Sequence, residues 1–273
     1  MNICFIGGGN MATAIISGLL ANPDEREGMR VRLRVVEINA DNCTRLENDF
    51  GVRTTAELAT GVSGSNVIVL AVKPQQLREI AVPLAPLLSG QLIISIAAGI
   101  RAADLARWLG SQNVVRAMPN TPALIRQGVT GLYALPEVSS PHREAAQKIL
   151  DAVGRCLWVE DEAMLDAVTA ISGSGPAYVF YFIEAMQQAA RELGLGDEEA
   201  RHLSVDTFLG AAKLADATED EASVLRERVT SKNGTTERAL LSMEANNVKQ
   251  HIIEAAKAAA ARAKEMGDEL GAN

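Results

Sequence analysis

The sequence has few of the residues that build disulfide frameworks and metal sites. Its 273 residues include 3 cysteines and 3 histidines, and aromatic residues make up 4%. Cys4, Cys43 and Cys156 are odd in number and far apart, which fits neither a disulfide framework nor a metal knuckle. The dispersed histidines complete no metal set and no Ser-His-Asp arrangement. We therefore expect no metal, and a reducing, cytoplasmic environment.

Long hydrophobic runs and an excess of positive charge are also lacking. Apolar runs such as Val67–Val72 fall far short of the roughly 18 residues that a membrane helix needs. Met1 leads directly into the strand-like Ile3–Ile6, so no signal peptide is expected. With 26 basic and 34 acidic residues the net charge is −8, which argues against nucleic-acid and anionic-membrane partners. A small-molecule ligand is the better hypothesis.

Residues 1–160 alternate short β-branched runs with helix-like stretches, a pattern typical of a parallel sheet with crossover helices. The predicted strands are Asn2–Ile6, Val31–Glu37, Asn66–Val72, Leu92–Ile96, Asn113–Arg116, Val129–Ala134 and Arg155–Val159. The predicted helices are Met11–Leu20, Asn39–Asp49, Gln76–Leu88, Ala102–Gly110 and Arg143–Val153. This is a doubly wound, Rossmann-like α/β domain, and its ligand should bind beyond the carboxyl ends of the strands, where strand order reverses.

Residues 161–273 have a different pattern, because alanine, leucine and methionine recur there at helical spacing. We predict a second, all-α domain over this range. Its segment Val179–Ile183 is apolar on every side, so a helix there must be buried all round. A domain of this size could bury it against a partner chain, which suggests dimerisation.

The first predicted strand runs into Gly7–Ala12, a G-x-G-x-x-A turn that opens a helix. The first glycine permits a tight turn, the second lets the backbone approach a pyrophosphate, and the small Ala12 allows helix and strand to pack closely. A diphosphate would then bind the free N–H groups of the helix start. The turn predicts dinucleotide binding, although tight turns also need glycine for structural reasons.

Glu37 ends the second predicted strand, where the adenosine ribose should lie. A carboxylate there can accept a hydrogen bond from the ribose 2′-hydroxyl and repel a 2′-phosphate, which favours NADH. Arg34 and Asn39 lie near enough in sequence to bind a 2′-phosphate if Glu37 turned away, and a solvated glutamate at a strand end is the structural alternative. The cofactor therefore remains NADPH or NADH.

Three further strand ends leave small residues and free backbone at the same sheet edge: Ala71–Gln75, Ser95–Gly99 and Arg116–Pro122. Each could be only a strand-terminating turn, but their convergence favours a site for the nicotinamide half of the cofactor. For Lys73 a surface position is the simpler interpretation. The candidate cofactor-binding residues of all these turns are Ile6, Gly7, Gly8, Gly9, Asn10, Met11, Glu37, Ala71, Val72, Lys73, Pro74, Ile96, Ala97, Ala98 and Asn120.

Two motifs lie in the helical half. Ile171–Tyr178 is a glycine-rich segment before a helix and is explained equally by close helix packing or by a ligand contact. Val229–Glu237 separates two helices with hydroxyls, a glycine and a new helix start. Free amides and hydroxyls at a helix N-terminus can bind a carboxylate, although an ordinary helix cap would have the same pattern.

Taken together, these motifs resemble pyrroline-5-carboxylate reductase from end to end, and the Thr-rich segment from Val229 is the family's signature. The family usually has proline and glycine where this chain has Lys232 and Asn233. Ser231, Gly234 and Thr236 stay in register, so the difference concerns the rigidity of the loop more than its chemistry.

The resemblance implies hydride transfer from reduced nicotinamide to the imine carbon of 1-pyrroline-5-carboxylate, giving L-proline. Such a reaction needs an anchored carboxylate, a nicotinamide held face-on and a hydrogen-bond donor near the ring nitrogen. By the family pattern, the backbone of Ser231–Thr235 would hold the carboxylate, and Thr236 is the candidate catalytic residue and proton donor. The candidate substrate-binding residues are Ser174, Ser231, Lys232, Asn233, Gly234, Thr235 and Thr236.

The resemblance also implies an interlocked dimer in which the helical domain of one subunit completes the other's site, with rings of dimers as a further assembly. Two alternatives remain. A β-hydroxyacid dehydrogenase would need a lysine in the glycine-rich helix, and Gly175–Phe180 contains none. A non-catalytic nucleotide sensor would not need the Thr-rich loop.

Overall fold

The computed structural model describes residues 1–21 and 32–271. The described residues form one eight-stranded sheet in the order β3-β2-β1-β4-β5-β6-β7-β8. The strands are β1 (Asn2–Ile6), β2 (Arg32–Val36), β3 (Arg53–Thr55), β4 (Val67–Leu70), β5 (Leu92–Ser95), β6 (Val114–Met118), β7 (Gly128–Ala134) and β8 (Gly154–Trp158). The chain moves outward from β1 to β3 and returns on the other side of β1 at β4, so strand order reverses beside β1. The predicted doubly wound α/β fold is confirmed.

Helices connect the strands and pack on the sheet. They are α1 (Asn10–Ala21), α2 (Ala40–Phe50), α3 (Leu58–Val62), α4 (Leu77–Leu84), α5 (Ala102–Leu109), α6 (Ser140–Asp151) and α7 (Met164–Val168), with 3₁₀ turns at Pro74–Gln76, Ala85–Leu87 and Thr121–Ile125. The central strands β4 and β5 are buried at every position, because helices cover both faces of a parallel sheet. Among the fully buried side chains, Phe5, Ile68, Leu70 and Ile93 belong to the middle of the sheet.

The sequence-based predictions differ from the structure at two short elements and at one edge of the sheet. The three-residue β3 and five-residue α3 are too short to produce a periodic signal, and no element was predicted there. β7 runs antiparallel to β6, and β8 is parallel to β7, so the sheet is not parallel throughout. The connection from Met118 to Gly128 is too short for a crossover, which takes a dozen or more residues. The predicted second strand began at Val31, which lies outside the described residues.

After α7 the chain is helical, as expected. A π-helical turn (Thr169–Gly173) leads into α8 (Gly175–Glu192), and α9 (Asp197–Asp216), α10 (Ala222–Arg228), α11 (Thr235–Ala245) and α12 (Val248–Gly271) follow. None of the described helices is long and apolar enough to cross a membrane. The chain forms two compact units, one of Met1–Ser174 with the chain from Ala259 onward and one of Gly175–Ala258. The domain border at 160/161 stays a prediction.

Helix α8 is not buried on all sides within one chain. It has no fully buried residue, and Phe180 and Tyr181 are 65% and 72% exposed. The predicted all-round burial is therefore not reached within one chain. A partner chain would have to supply the missing cover.

The cysteines offer no reactive thiol in the sheet. Cys4 lies in β1, and burial raises its pKa to about 12, so it stays neutral at physiological pH. Burial, together with a hydrogen bond to Asp151, also raises the pKa of Cys156. Neither thiol is activated as a nucleophile.

Candidate active site

The glycine turn lies where strand order reverses. The Gly7 N–H donates to the Val36 carbonyl at 2.8 Å, and the Ala71 N–H donates to the Ile6 carbonyl at 2.8 Å, so β1 is held from both sides. Gly7 has φ of +98°, and a Cβ added there would lie 2.7 Å from the Ala71 carbonyl oxygen. Both the backbone angle and the space therefore require glycine at this position.

The start of α1 leaves backbone amides directed to the end of the sheet. The first helical hydrogen bond runs from the Thr13 N–H to the Gly9 carbonyl at 2.9 Å, and the amides before Thr13 have no partner within a helix. Gly9 and Asn10 are exposed, and a Cβ added to Gly9 would meet no atom within 4 Å. The turn thus forms an open cradle of N–H groups at the positive end of a helix dipole, which suits a diphosphate.

Glu37 is fixed beside this cradle. Its Oε1 accepts hydrogen bonds from the N–H groups of Ile38 and Asn39, both at 2.8 Å. Its Oε2 accepts from the Gly8 N–H at 2.9 Å and from Asn42 Nδ2 at 3.4 Å. The carboxylate therefore lies at the end of β2 against the glycine turn, where the predicted ribose position is, and four donors restrict it from turning away.

Arg34 is bound elsewhere. Its Nη1 donates to the Thr60 and Ser63 carbonyls at 3.3 and 2.7 Å, in the segment after β3. Asn39 likewise caps α2, because its side chain accepts from the Asn42 N–H at 3.0 Å. The expectation that these two residues could receive a 2′-phosphate is therefore weakened by the partners that they already have.

Arg45 is a neighbour of the cradle that the sequence reading missed. Its Nη2 donates to the Gly8 carbonyl at 3.2 Å and to Thr13 Oγ1 at 3.3 Å. The residue precedes the buried Leu46 in α2, so it lies near the helix face that packs on the protein. Its position next to Leu46 was the feature of the sequence that could have indicated this contact. The Arg45 side chain places one cation beside the glycine turn of a protein with net charge −8.

The next two strand ends lie beside the turn in the sheet. Ala71 and Val72 are half-buried after β4, Lys73 is exposed, and Pro74 begins a 3₁₀ turn. After β5, the Ile96 N–H donates to the Leu70 carbonyl at 3.1 Å. Ala97 is buried and donates its N–H to Ser95 Oγ at 3.3 Å. The residues predicted to line the nicotinamide half, Ala71, Val72, Ile96, Ala97 and Ala98, therefore follow adjacent strands at one sheet edge.

Asn120 follows β6 and has partners at both ends of its amide. Its Nδ2 donates to the carbonyl and to Oγ of Ser172, both at 3.1 Å, and its Oδ1 accepts from the Val129 N–H at 2.9 Å. Asn120 is buried. It therefore ties the sheet to the π-helical turn that ends at Gly173 and precedes Ser174. Its predicted contact with the cofactor stays a prediction.

A buried ion pair that was not predicted from the sequence connects β6 to the chain before α7. Arg116 Nη1 lies 2.9 Å from Glu162 Oε1, and the two side chains are 5% and 18% exposed. The same Oε1 accepts from the Ala102 N–H at 2.7 Å, at the start of α5. One carboxylate thus joins β6, α5 and the chain before α7, and its partners are too distant in sequence to be paired by pattern.

In the second unit, Ser231–Gly234 form a tight turn before α11. The Gly234 N–H donates to the Ser231 carbonyl at 3.0 Å, and Asn233, the third residue of the turn, has φ of +61°. Proline and glycine are the preferred second and third residues of turns with a positive φ at the third, and asparagine also tolerates it. Lys232 and Asn233 therefore keep the turn that proline and glycine would form.

The remaining donors of this turn are at the start of α11. The Asn233 N–H is bound to Glu237 Oε2 at 2.7 Å, and the Gly234 N–H is bound within the turn. The amides of Thr235 and Thr236 open the helix, where helical geometry provides them no partner. Thr236 is half-buried and Thr235 exposed. Of the predicted substrate-binding residues, Ser231 to Thr236 thus cluster in the second unit, and Ser174 belongs to the first.

The fold and the cradle define a class. A doubly wound sheet with a glycine turn at its switch point and a helical second part is a Rossmann-type dinucleotide-binding oxidoreductase architecture. Residues 2–99 match the family model described as NADP oxidoreductase, coenzyme F420-dependent, and residues 162–266 match that of pyrroline-5-carboxylate reductase dimerisation.

Full-length relatives narrow the class. The chain is 46% identical to a pyrroline-5-carboxylate reductase of Pseudomonas aeruginosa, over 98% of both chains. Its structure is similar to that of a pyrroline-5-carboxylate reductase from Coxiella burnetii, with a TM-score of 0.89, 42% identity and coverage of 97% and 98% of the two chains. It also resembles a Plasmodium falciparum pyrroline carboxylate reductase with NADP bound, with a TM-score of 0.85, 28% identity and 98% coverage of each chain. The chain belongs to the pyrroline-5-carboxylate reductase family.

Proposed function

We propose that the chain reduces 1-pyrroline-5-carboxylate to L-proline with NADPH or NADH. The observation that carries the proposal is the Ser231–Gly234 turn, which is closed by a hydrogen bond and has at Asn233 the positive φ that glycine would favour there. Family membership and the glycine cradle of the first unit support the same reaction. Family membership also argues against a β-hydroxyacid dehydrogenase and a nucleotide sensor.

The cofactor would be held by the first unit. The amides at the start of α1 fit its diphosphate, because the cradle is open and a Cβ at Gly9 would meet no protein atom within 4 Å. Ala71, Val72, Ile96, Ala97 and Ala98 would line its nicotinamide half. When bound, the reduced nicotinamide supplies the hydride.

The substrate carboxylate would bind at the start of α11. The N–H groups of Thr235 and Thr236 would be backbone donors there, whereas those of Asn233 and Gly234 have partners within the protein. Of the Ser231–Thr235 backbone predicted from sequence, two amides are therefore already bound within the protein. A carboxylate at a helix N-terminus also gains from the helix dipole. The net charge of −8 makes such local donors necessary, because the protein as a whole repels an anion.

Thr236 would act on the ring nitrogen. It is the second residue of α11 and half-buried, and its hydroxyl would lie next to the amides that bind the carboxylate. The protonated imine accepts hydride far better than the neutral one, so the enzyme needs to bind or complete the iminium form. The Thr236 hydroxyl would hydrogen-bond this nitrogen, and it is the candidate proton donor.

We also propose the assembly and the location. The match to a dimerisation family and the exposed Phe180 and Tyr181 of α8 support a dimer. Following the family resemblance, dimers would assemble further into rings. The acidic surface and the three unpaired cysteines support a cytoplasmic protein without nucleic-acid partners.

Cofactor oxidation tests the proposal. The absorbance of reduced nicotinamide should fall when 1-pyrroline-5-carboxylate is added, in parallel reactions with NADH and NADPH. Omitting the substrate provides the control. Stable absorbance with both cofactors would disprove the proposed reaction. The proposed assembly has its own test, because light scattering at micromolar concentration should give the mass of a dimer or a larger assembly.

A further inference from the structure

The last turns of α12 pack on the loop between β5 and α5. Three small residues, Ala263, Gly267 and Gly271, are buried at intervals of four and so lie on one face of the helix. A Cβ added to Gly267 would lie 3.3 Å from the Gly99 carbonyl oxygen and 3.3 Å from Arg101 Nε, and one added to Gly271 would collide with the Asp104 carboxylate of α5. Any side chain at Gly267 would therefore press on the loop, and a larger one would press harder.

The loop is fitted to the helix in turn. Gly99 has φ of +78°, and a Cβ added there would lie 3.3 Å from Met266 Cβ and 3.4 Å from Leu270 Cδ1. Glycine at this position therefore serves both the backbone conformation and the packing. Gly99 directly follows Ala97 and Ala98, which we expect to line the nicotinamide half of the cofactor.

Polar contacts fix the same helix end. Arg101 Nη2 lies 2.6 Å from Asp268 Oδ1, and Arg107 Nη2 of α5 donates to the Gly271 carbonyl at 2.8 Å. The second contact satisfies one of the last carbonyls of the helix with a cation, which also suits the helix dipole. The loop is thus held at two points. Arg101 pairs with Asp268 of the helix, and the Ala102 N–H just after the loop donates to Glu162.

We propose that the end of α12, from Ala263 to Gly271, is a positioning element for the nicotinamide side of the cofactor site. By packing on Gly99 and pairing with Arg101, it fixes the loop that carries Ile96, Ala97 and Ala98. The adenosine side is built from the other end of the site, from α1, β2 and α2. The inference rests on the proposed function, because that function assigns the loop to the nicotinamide.

Binding of two ligands tests the proposal without turnover. NADH spans the whole site, and ADP-ribose lacks the nicotinamide, so calorimetry with both separates the two halves. In Gly267→Leu the added side chain must displace the loop, and we expect NADH to bind about tenfold more weakly, the effect of an overpacked contact, with ADP-ribose unchanged. Leucine favours helix more than glycine does, so a weaker helix would not explain the loss.

Ala261→Leu is the matched control, because Ala261 lies on the same helix and is exposed. It should bind both ligands as the unmodified chain does. Unchanged NADH affinity in Gly267→Leu would overturn the proposal, and so would an equal loss of NADH and ADP-ribose. If the unmodified chain binds NADH but turns over no 1-pyrroline-5-carboxylate, the proposed function fails and the binding comparison still stands.

A milder pair keeps the test decisive if Gly267→Leu does not fold. Asp268→Asn removes the partner of Arg101, whereas Glu269→Gln removes a carboxylate that pairs with Arg262 of the same helix. Both pairs are solvent-exposed, so the effects are small. We expect about two- to threefold weaker NADH binding in Asp268→Asn alone, and equal NADH affinities of the two variants would contradict the proposal.

Discussion

The two predicted anion sites use the same donors but differ in what supports them. The cradle after Gly7 is held by β1, which is hydrogen-bonded on both sides by β2 and β4 within the buried sheet. The Ser231–Gly234 turn is mostly exposed, and it is stabilised by a hydrogen bond between its own residues and by one to Glu237. Free amides at a helix start form both sites.

This difference explains which positions tolerate substitution. Gly7 faces a carbonyl oxygen of the neighbouring strand, so the sheet itself forbids a side chain. Lys232 and Asn233 are exposed, so the turn needs only an acceptable φ at Asn233. A site supported by a sheet is rigid and intolerant, whereas a site supported locally can change residues if the local hydrogen bonds are kept.

The largest expected effect separates chemistry from anion binding in the second unit. Thr236→Ala should lower turnover by roughly 10–10⁴-fold, the range of a positioned acid, with the affinity for NADH or NADPH nearly intact. Thr235→Ala is the control, because its backbone N–H remains and its side chain is exposed. Steady-state kinetics with both substrates checks this, and unchanged turnover in Thr236→Ala would show that its hydroxyl is not the donor.

Two glycine variants test the rigidity of the first site. In Gly7→Ala the added Cβ collides with the Ala71 carbonyl, so we expect about 100-fold weaker dinucleotide binding and a lower melting temperature. In Gly9→Ala the protein has space for the Cβ, so the melting temperature should stay the same. Dinucleotide binding should still weaken, because the Cβ keeps the pyrophosphate away from the backbone. Calorimetry and thermal unfolding distinguish them. Equal losses of stability in Gly7→Ala and Gly9→Ala would contradict the claim that the sheet forbids a side chain only at Gly7.

Glu37 should set the preference between the cofactors. Its carboxylate is fixed beside the glycine turn and would repel a 2′-phosphate. We expect Glu37→Ala to shift kcat/KM toward NADPH relative to NADH by about tenfold, equivalent to ~1.4 kcal/mol. The ratio of the two kcat/KM values is the measurement, since both cofactors share any loss from the missing contact to Gly8. An unchanged ratio would mean that the carboxylate does not face the ribose.

The smallest effect concerns the local support of the second site. Glu237→Ala removes the acceptor for the Asn233 N–H, and we expect the KM for 1-pyrroline-5-carboxylate to rise about threefold, the cost of one exposed hydrogen bond. Adding Lys232→Pro and Asn233→Gly should restore the KM, because these residues stiffen the same turn. A lasting defect in the triple variant would show that Glu237 does more than support the turn.

Strongly patterned elements were predictable from sequence. β1, β4 and β5 are short, almost completely buried runs of mainly apolar residues. In the turn between β1 and α1, both the backbone angle and the space require glycine at Gly7. The reversal at β7 was missed, because a periodic pattern does not encode strand direction. The Thr-rich turn was predicted from its hydroxyls, its glycine and the new helix start, and its role in substrate binding came from the resemblance to a family. Its geometry explains why Lys232 and Asn233 fit there.

Contacts between distant residues could not be predicted from one sequence. Arg116 and Glu162 form a buried pair 46 positions apart, and Arg101 and Asp268 pair across 167 positions. Neither pairing leaves a local pattern, since every charged residue is equally compatible with solvent. The hydrogen bonds of Glu37 and Asn120 likewise became visible only when the fold brought their partners together.

Isotope transfer tests the central claim most directly. Reduction of 1-pyrroline-5-carboxylate with NADH or NADPH deuterated at the reactive carbon of the nicotinamide, using each face in turn, should give L-proline with one deuterium on the former imine carbon for one of the two faces. Mass spectrometry and NMR of the product locate the label. Unlabelled proline from both faces, or no proline at all, would contradict hydride transfer to the imine.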